Sequence, residues 1–355
     1  MSSTPAVPPL RLVAWEVTRA CNLACRHCRA EAHLDPFPGE LTNQESLTLI
    51  DQIAELGRPI LIFTGGEPLL RQDIFELVSY AHSQGLRCVM APNGTLVTND
   101  KARQMRESGI QRASISIDGP DPASHDAFRG VPGAFSAALG GIESLKQAGL
   151  PFQINTTVSR FNLDRFRDIF NLALSLGAAA WHIFLLVPTG RAASLQEGSI
   201  SAEEYEQVLN WFYDFRKQTT MQLKATCAPH YHRILRQRAK AEGLPITVET
   251  VGLEAQSRGC LGGQGFCFVS HTGQVQPCGY LELDCGQVRE TSFAEIWTGS
   301  EIFHKLRSPQ CYSGKCGICE YHAVCGGCRA RAWTMTGDYL GEEPLCTYQP
   351  KALRG

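Results

Sequence analysis

From residue 12 to about 220 the chain alternates short apolar runs of β type with helical ones, and this rhythm restricts the fold more than any other feature. Strands are predicted at 12–18, 59–63, 86–90, 113–117, 152–158 and 181–187. Between them, Thr42 and Glu45 form a capping-box pair ahead of Leu49, Ile50, Ile53 and Leu56 at helical spacing. Further helices are expected over about 73–84, 100–108, 134–148 and 163–176, and Ser201 and Glu204 cap one carrying Tyr205, Val208, Leu209 and Phe212. Six βα units with apolar strands predict a parallel sheet covered by helices. Chemistry in such sheets collects at the C-terminal ends of the strands. The segment 18–30, Gly65-Gly66-Glu67-Pro68, Asn93-Gly94, Asp118-Gly119 and Thr189-Gly190 all fall there.

Outside this region the pattern changes. Residues 1–10 read as a flexible leader, and 11–220 as the sheet domain. Residues 221–255 form a connecting helical segment containing the basic stretch RILRQRAKAEG, and 256–355 are a small domain rich in Cys and Gly. The N-terminus lacks the basic and apolar regions of a signal peptide, and no apolar run approaches a membrane span. A net charge of −2 gives no reason to expect nucleic acid or an anionic membrane as partner. A cytoplasmic protein is expected. Fifteen cysteines without a secretion signal then point to metal or redox chemistry rather than disulfides.

Cys21, Cys25 and Cys28 stand at C-x3-C-x2-C spacing just after the first strand. A short loop can aim three thiolates at one inorganic core, but a closed zinc or [4Fe–4S] site takes four protein ligands. No fourth cysteine is nearby, so one iron would stay open. This loop resembles the signature of the radical S-adenosylmethionine (SAM) enzymes, in which the amino and carboxylate groups of SAM chelate that iron. The resemblance implies an α/β fold with a partial (β/α)6 TIM-like barrel, which six βα units match. The glycines of Gly65-Gly66-Glu67-Pro68 would let a ligand approach the backbone, where free carbonyls can accept from an ammonium. The family's similar turn implies contact with the SAM amino group. Asp118 could hold ribose hydroxyls and Arg129 could pair with a carboxylate, and in the family this region, with Ser116, contacts the SAM ribose and carboxylate. Asn93 and Arg191 are candidates of the same kind.

The remaining cysteines form a second pattern. Cys260, Cys267 and Cys278 surround a hairpin-like stretch, and Cys316-x2-Cys319-x5-Cys325-x2-Cys328 is followed by Cys346. This resembles the SPASM extension of radical SAM enzymes, although the step from Cys325 to Cys328 is one residue shorter than usual. A zinc ribbon is the other reading, against which the gap between the two C-x2-C knuckles is short. The family's interleaving implies one auxiliary [4Fe–4S] cluster on Cys260, Cys267, Cys278 and Cys328, and another on Cys316, Cys319, Cys325 and Cys346. With the SAM-binding cluster that makes three. Cys88, Cys227, Cys285 and Cys311 are left over. Cys227 is read as a buried neutral cysteine with a catalytic role as the alternative.

The stretches CAPHYHRI, RGCLGGQGFCFVSHTGQVQPCGYLELDCGQVRETSFAEIW and KCGICEYHAVCGGCRARAWTMTGDYLGEEPLC together resemble the haem-biosynthesis branch of this family. That resemblance implies oxidative decarboxylation of two propionates of iron-coproporphyrin III to vinyl groups, giving haem b. Related members act on haem d1 precursors or didecarboxysiroheme. It also implies an iron-porphyrin substrate and an external low-potential electron donor of flavodoxin or ferredoxin type. An iron porphyrin with propionates needs cations and can take an axial imidazole. His230, His232, Arg233 and Arg236, with Arg329 and Arg331, are the candidates, and Cys227 and His230 are the only side chains offered for catalysis. A SPASM peptide maturase would carry an N-terminal peptide-recognition domain, for which a leader of about ten residues leaves no room. A multi-cluster electron carrier would have no use for an open iron.

Overall fold

The computed structural model describes residues 7–35, 37–195 and 198–354. One ten-stranded sheet organises them, in the order β10-β9-β8-β1-β2-β3-β4-β5-β6-β7. Seven strands run parallel in chain order: β1 (Leu12–Glu16), β2 (Ile60–Thr64), β3 (Arg87–Met90), β4 (Ile110–Ser116), β5 (Phe152–Val158), β6 (Ala180–Leu185) and β7 (Gln222–Thr226). Helices α1 (Asn43–Glu55), α2 (Ile74–Ser83), α3 (Asn99–Ser108), α4 (Pro122–Arg129), α5 (Ala134–Gln147), α6 (Phe166–Ser175), α7 (Ala202–Phe215) and α8 (His230–Ala241) follow the strands. The capping boxes at Thr42/Glu45 and Ser201/Glu204 are formed. The chain is an α/β partial barrel with a C-terminal cysteine-rich extension.

Alternation along the strands separates a packed face from a lumen. Trp181 turns outward and is fully buried among Phe166 and Phe170 of α6 and Phe212 and Phe215 of α7. Its neighbour His182 therefore faces inward, where Gln153 Nε2 lies 3.0 Å from both His182 Nδ1 and Asn155 Oδ1.

The structure departs from the sequence reading at three places. The sheet does not stop near residue 220. β7 lies in the expected connecting segment, and β8 (Phe266–Val269), from the expected C-terminal domain, pairs in parallel with β1. An open parallel sheet leaves unpaired peptide groups along its edges, and these later strands cover them. β9 (Gln274–Gln276) and β10 (Gly286–Gln287) then add antiparallel strands beyond β8. The boundaries at 220 and 255 thus divide the sequence but not the sheet. Of the expected leader, residues 1–6 lie outside the described residues. Leu10 is buried, and the Pro8 carbonyl accepts from Trp297 Nε1 at 3.3 Å, so the leader's end is packed. Finally, no helix is expected between the strand at 113–117 and the helix at 134–148, yet α4 lies there, capped by Asp121 through Ser124 N–H and opened by Pro122.

Candidate active site and cluster ligands

The cysteine loop leaves β1 at Glu16 and folds against the turn after β2. Gly66 N–H donates to Thr18 O at 2.9 Å and Glu67 N–H to Ala20 O at 2.8 Å. A Cβ on Gly65 would stand 2.3 Å from Thr18 O, and one on Gly66 2.4 Å from both Arg19 O and Ala20 O. The two glycines are needed for this contact. Glu67 is fully buried, with Oε1 accepting from Leu69 N–H at 3.0 Å and Oε2 from Asn93 N–H at 2.7 Å. Its side chain holds the turn together, and burial lifts its pKa to about 7. Pro68 opens the short helical turn Pro68–Leu70 and is buried.

Asn93 is also occupied. It donates to Asn22 Oδ1 at 2.8 Å and accepts from Thr95 N–H and Oγ1, with Nδ2 4.0 Å from Cys21 Sγ. Asp118 is buried at the end of β4, where Oδ1 accepts from Thr157 N–H at 2.6 Å and the other oxygen is ion-paired with Arg129. Arg129 Nη1 donates to Cys25 Sγ at 3.6 Å. Burial works against its charge, but Asp118 and Cys25 raise its pKa above the ordinary value. Arg191 accounts for most of its donors on the loop itself, giving Nε to Cys25 O and Nη1 to Ala32 O, both at 2.8 Å, while Nη2 is buried without a partner. Ser116 closes β4 in register with Asn155 and is partly exposed in the lumen. These side chains brace the loop from four strands.

The loop's sulfurs share one surrounding. Cys21 and Cys25 are buried, Leu23 N–H donates to Cys21 Sγ at 3.4 Å, and burial pushes the Cys21 thiol up to about 12. Two buried sulfurs and the half-buried Cys28, met by a backbone N–H and a guanidinium, suit thiolates whose charge is balanced by bound cations.

Cys316, Cys319, Cys325 and Cys346 line one cavity with about 410 Å³ free of protein atoms, part of it open to solvent. Cys316 Sγ accepts from Glu343 N–H and Arg329 Nη2, both at 3.4 Å, and Cys319 Sγ from Tyr321 N–H at 3.4 Å. Gly327 has a φ of +63°, and a Cβ there would meet Glu343 Cβ at 2.9 Å beside Cys316 Sγ, so that position favours glycine. Cys328, Cys278 and Cys260 form another group, with Tyr280 N–H donating to Cys278 Sγ at 3.3 Å. The structure does not bring Cys267 to them. Cys267 lies on β8 opposite Val13, fully buried in the main core, with Cys285 and Arg307 as its nearest ionisable groups. Cys227 instead packs with Cys278 and Cys328. Among the described residues, no three His, Cys, Asp or Glu side chains converge closely enough to hold a single metal ion.

Most of the cationic candidates for substrate are engaged with other protein groups. Arg331 and Glu343 are both fully buried and paired at 3.2 Å, and Arg331 also bonds the carbonyls of Leu185, Leu186 and Cys227. Arg329 bonds Cys316 and the Gly341 carbonyl. Arg233 pairs with Glu206, His232 with Glu254 at 2.9 Å, and Arg236 bonds the His232 carbonyl. His230 lines the cavity of the four C-terminal cysteines, edge-on to Tyr205, with neither ring nitrogen partnered. Glu206 of α7 and Glu343 of the C-terminal extension thus neutralise Arg233 and Arg331, whereas Arg329 bonds only a sulfur and carbonyls and Arg236 only a carbonyl. Two residues missed from the sequence lie better. Tyr280 packs with Cys227 and Cys278 and also lies near Cys28. Beside it, Arg29 pairs with Glu16 at 3.0 Å and stacks on Phe268, with Nη1 buried and unpartnered. Neither belongs to a spaced motif, so periodicity and spacing gave no signal for them.

Residues 15–173 match the radical SAM superfamily, and 260–329 match the SPASM iron–sulfur cluster-binding domain. The AdoMet-dependent heme synthase of Oleidesulfovibrio alaskensis is 68% identical over 97% of this chain and 89% of its own. The Fe-coproporphyrin III synthase of Methanosarcina barkeri is 30% identical over 94% of this chain and 87% of its own. A crystal structure of Streptococcus suis SuiB bound to S-adenosylmethionine superposes with a TM-score of 0.73, at 13% identity, covering 96% of this chain and 78% of that one. It shares the fold.

Proposed function

Since this chain belongs to the SPASM-bearing radical SAM family that includes the AdoMet-dependent heme synthases, we propose that it oxidatively decarboxylates two propionates of iron-coproporphyrin III to vinyl groups, giving haem b. The observation that carries this reading is that Tyr280, packed with Cys227 and Cys278, also lies near Cys28 and Arg29 of the loop. A substrate seated there lies between a radical source and an electron acceptor. Loss of a carboxylate to leave a vinyl group needs both, since one hydrogen atom and one further electron leave along with carbon dioxide.

Cys21, Cys25 and Cys28 hold a [4Fe–4S] cluster with one iron open to SAM, and that pair, when bound, supplies hydrogen-atom abstraction. Gly65, Gly66 and Pro68 keep the neighbouring turn close to the loop, Glu67 and Asn93 fix its geometry, and Arg129, aligned by Asp118, places positive charge beside Cys25. Ser116 faces the same lumen. Asp118 would act on the cofactor through Arg129, to which it is ion-paired. Two auxiliary [4Fe–4S] clusters occupy the C-terminal cysteine groups. Their ligand sulfurs stand round a body larger than one ion, which fits cysteines that share a cavity without converging on a point. Arg29 Nη1 and the Tyr280 hydroxyl are the groups offered to a propionate, and Phe184 and the recess lined by Leu186, Pro188, Leu195 and Met335 offer apolar surface to a macrocycle. Among the described residues no helix is long and apolar enough to cross a membrane. We place the protein in the cytoplasm, with a low-potential flavodoxin or ferredoxin as donor.

The test is an anaerobic assay with SAM and reductant, iron-coproporphyrin III and didecarboxysiroheme being offered side by side. The expected product is haem b, with one carbon dioxide and two hydrogens lost from each of two side chains. Turnover of didecarboxysiroheme alone would overturn the substrate assignment, and no SAM cleavage with either would overturn the reaction class.

A further inference from the structure

We propose that Cys227 is the fourth ligand of the first auxiliary cluster, completing a site with Cys260, Cys278 and Cys328, while Cys267 is a core residue. The inference rests on the reading above that an iron–sulfur cluster occupies this group.

Strand geometry removes Cys267. Side chains alternate along β8, and Phe268 faces the lumen, carrying the Arg29 guanidinium 4.4 Å from its ring centre and lying 3.1 Å from a Cβ built on Gly279. Gly279 is the residue next to Cys278, so the cysteine group is on the Phe268 side. Cys267 points the other way, in register with Val13, at zero exposure.

Loop geometry supplies Cys227. It is the first residue after β7, at the chemically active end of the sheet, and its φ is +54°. Left-handed backbone at a non-glycine residue is strained, and it persists where the surroundings enforce it. Here they do. The Cys227 carbonyl accepts from Tyr205 Oη at 2.7 Å and Arg331 Nη2 at 3.0 Å, which fixes the peptide. Its side chain packs with Cys278 against the cluster that contains Cys328, with Cys260 close by. The Cys260 segment closes from the opposite side. Gly259 N–H donates to Val324 O at 2.8 Å and Cys260 N–H to Cys325 O at 3.1 Å, and a Cβ on Gly259 would be 2.6 Å from Pro229 Cβ. The two segments touch two residues from Cys227. Four thiolates from 227, 260, 278 and 328 would close the cluster. A closed cluster exchanges electrons with the substrate and does not bind it.

The assignment is testable in the full-length chain carrying Cys21, Cys25 and Cys28→Ala, so that only auxiliary clusters remain. After anaerobic reconstitution this parent should hold about eight irons, two four-iron clusters. Adding Cys227→Ala should leave one cluster with three thiolates. Mild oxidation should then yield the electron paramagnetic resonance signal of a three-iron cluster, with about one iron lost. Adding Cys267→Ala should leave iron content and spectrum at the parent values. The three-iron signal in the Cys267→Ala protein but not in the Cys227→Ala protein would overturn the assignment, as would parent-like spectra from both. Should Cys227→Ala not fold, Cys227→Ser keeps an oxygen ligand. It should retain about eight irons with a shifted signal from one cluster, and an unshifted signal would overturn the proposal. Cys278→Ala separates the two levels: parent-like iron in that variant would mean that no cluster sits here, so the underlying reading fails and not only the choice of fourth ligand.

Discussion

The two ends of the molecule gather their cysteines in opposite ways. Cys21, Cys25 and Cys28 come from a single loop, and everything around it serves to hold that loop's shape: two glycines against its carbonyls, Asn93 and Arg129 at its sulfurs, Arg191 across its back. The C-terminal groups draw on remote segments. Cys328 lies beside Cys278, and Cys227 comes from the barrel edge; Cys346 shares a cavity with Cys316 across a fold whose centre is the buried Arg331–Glu343 pair. A local site is built by spacing, while a distributed site is built by the tertiary structure that brings its parts together. The first should therefore fail cleanly when its own ligands are removed. The second should be sensitive to residues that ligate nothing.

The strongest separation of the two regions comes from replacing Cys21, Cys25 and Cys28 with alanine together. SAM cleavage should disappear, by at least about a thousand-fold, while the C-terminal clusters remain visible by iron analysis and spectroscopy. Residual 5′-deoxyadenosine formation, or loss of all iron, would show that the two regions are not independent. The reverse cut is next in size. Cys278→Ala should spare 5′-deoxyadenosine formation and lower vinyl formation by about a hundred-fold. Equal rates for both products would remove the electron-acceptor role from the C-terminal region.

The same contrast explains what could be read from the sequence. The βα rhythm and the loop cysteines depend on neighbours in the chain, and the sheet order from β1 to β6 follows them. The number of C-terminal cysteines was legible for the same reason. Their partners were not. Cys267 sits at a spacing that resembles a ligand's, but one strand's alternation turns it into the core. Cys227 stands apart from every spaced cysteine, and only β7, a strand unforeseen in the connecting segment, delivers it. Arg233 and Arg331 read as free cations, because nothing in the sequence marks Glu206 and Glu343 as their partners.

A third prediction tests the claim that the distributed site depends on residues outside the ligand set. Arg331→Met leaves Glu343 charged and buried without its partner. Breaking one side of a buried pair costs about 3–5 kcal/mol, which should be read as a lower chemical-denaturation midpoint. Glu343 also accepts from Cys328 N–H at 2.7 Å and donates its own N–H to Cys316 Sγ, so the auxiliary clusters should become labile as well. Combining Arg331→Met with Glu343→Gln should recover part of the loss. A double variant as unstable as the sum of the singles would mean that the pair does not act as a unit.

The smallest expected effect belongs to the local site and is a dependence on pH. Glu67 is buried, and burial is the leading cause that lifts its pKa from 4.5 to about 7, against the N–H groups of Asn93 and Leu69, which favour the charged form. With the folded pKa above the unfolded one, folding takes up a proton between those values, so stability is greatest below pH 4.5, falls as pH rises toward 7, and levels off beyond it. Negative charge on the Cys21 sulfur pushes in the same direction, since Glu67 and Cys21 each disfavour the other's ionisation. Between about pH 6 and pH 8 the loss should be of order 1–2 kcal/mol, measured as the shift in denaturation midpoint of the loaded protein. Glu67→Gln removes the titrating group and should flatten that slope, at the cost of a backbone N–H bond that an amide accepts less well. The pH slope is therefore the discriminating readout: a Glu67→Gln protein that keeps the wild-type slope would show that Glu67 is ionised throughout, and that the turn binds its carboxylate more strongly than burial opposes it.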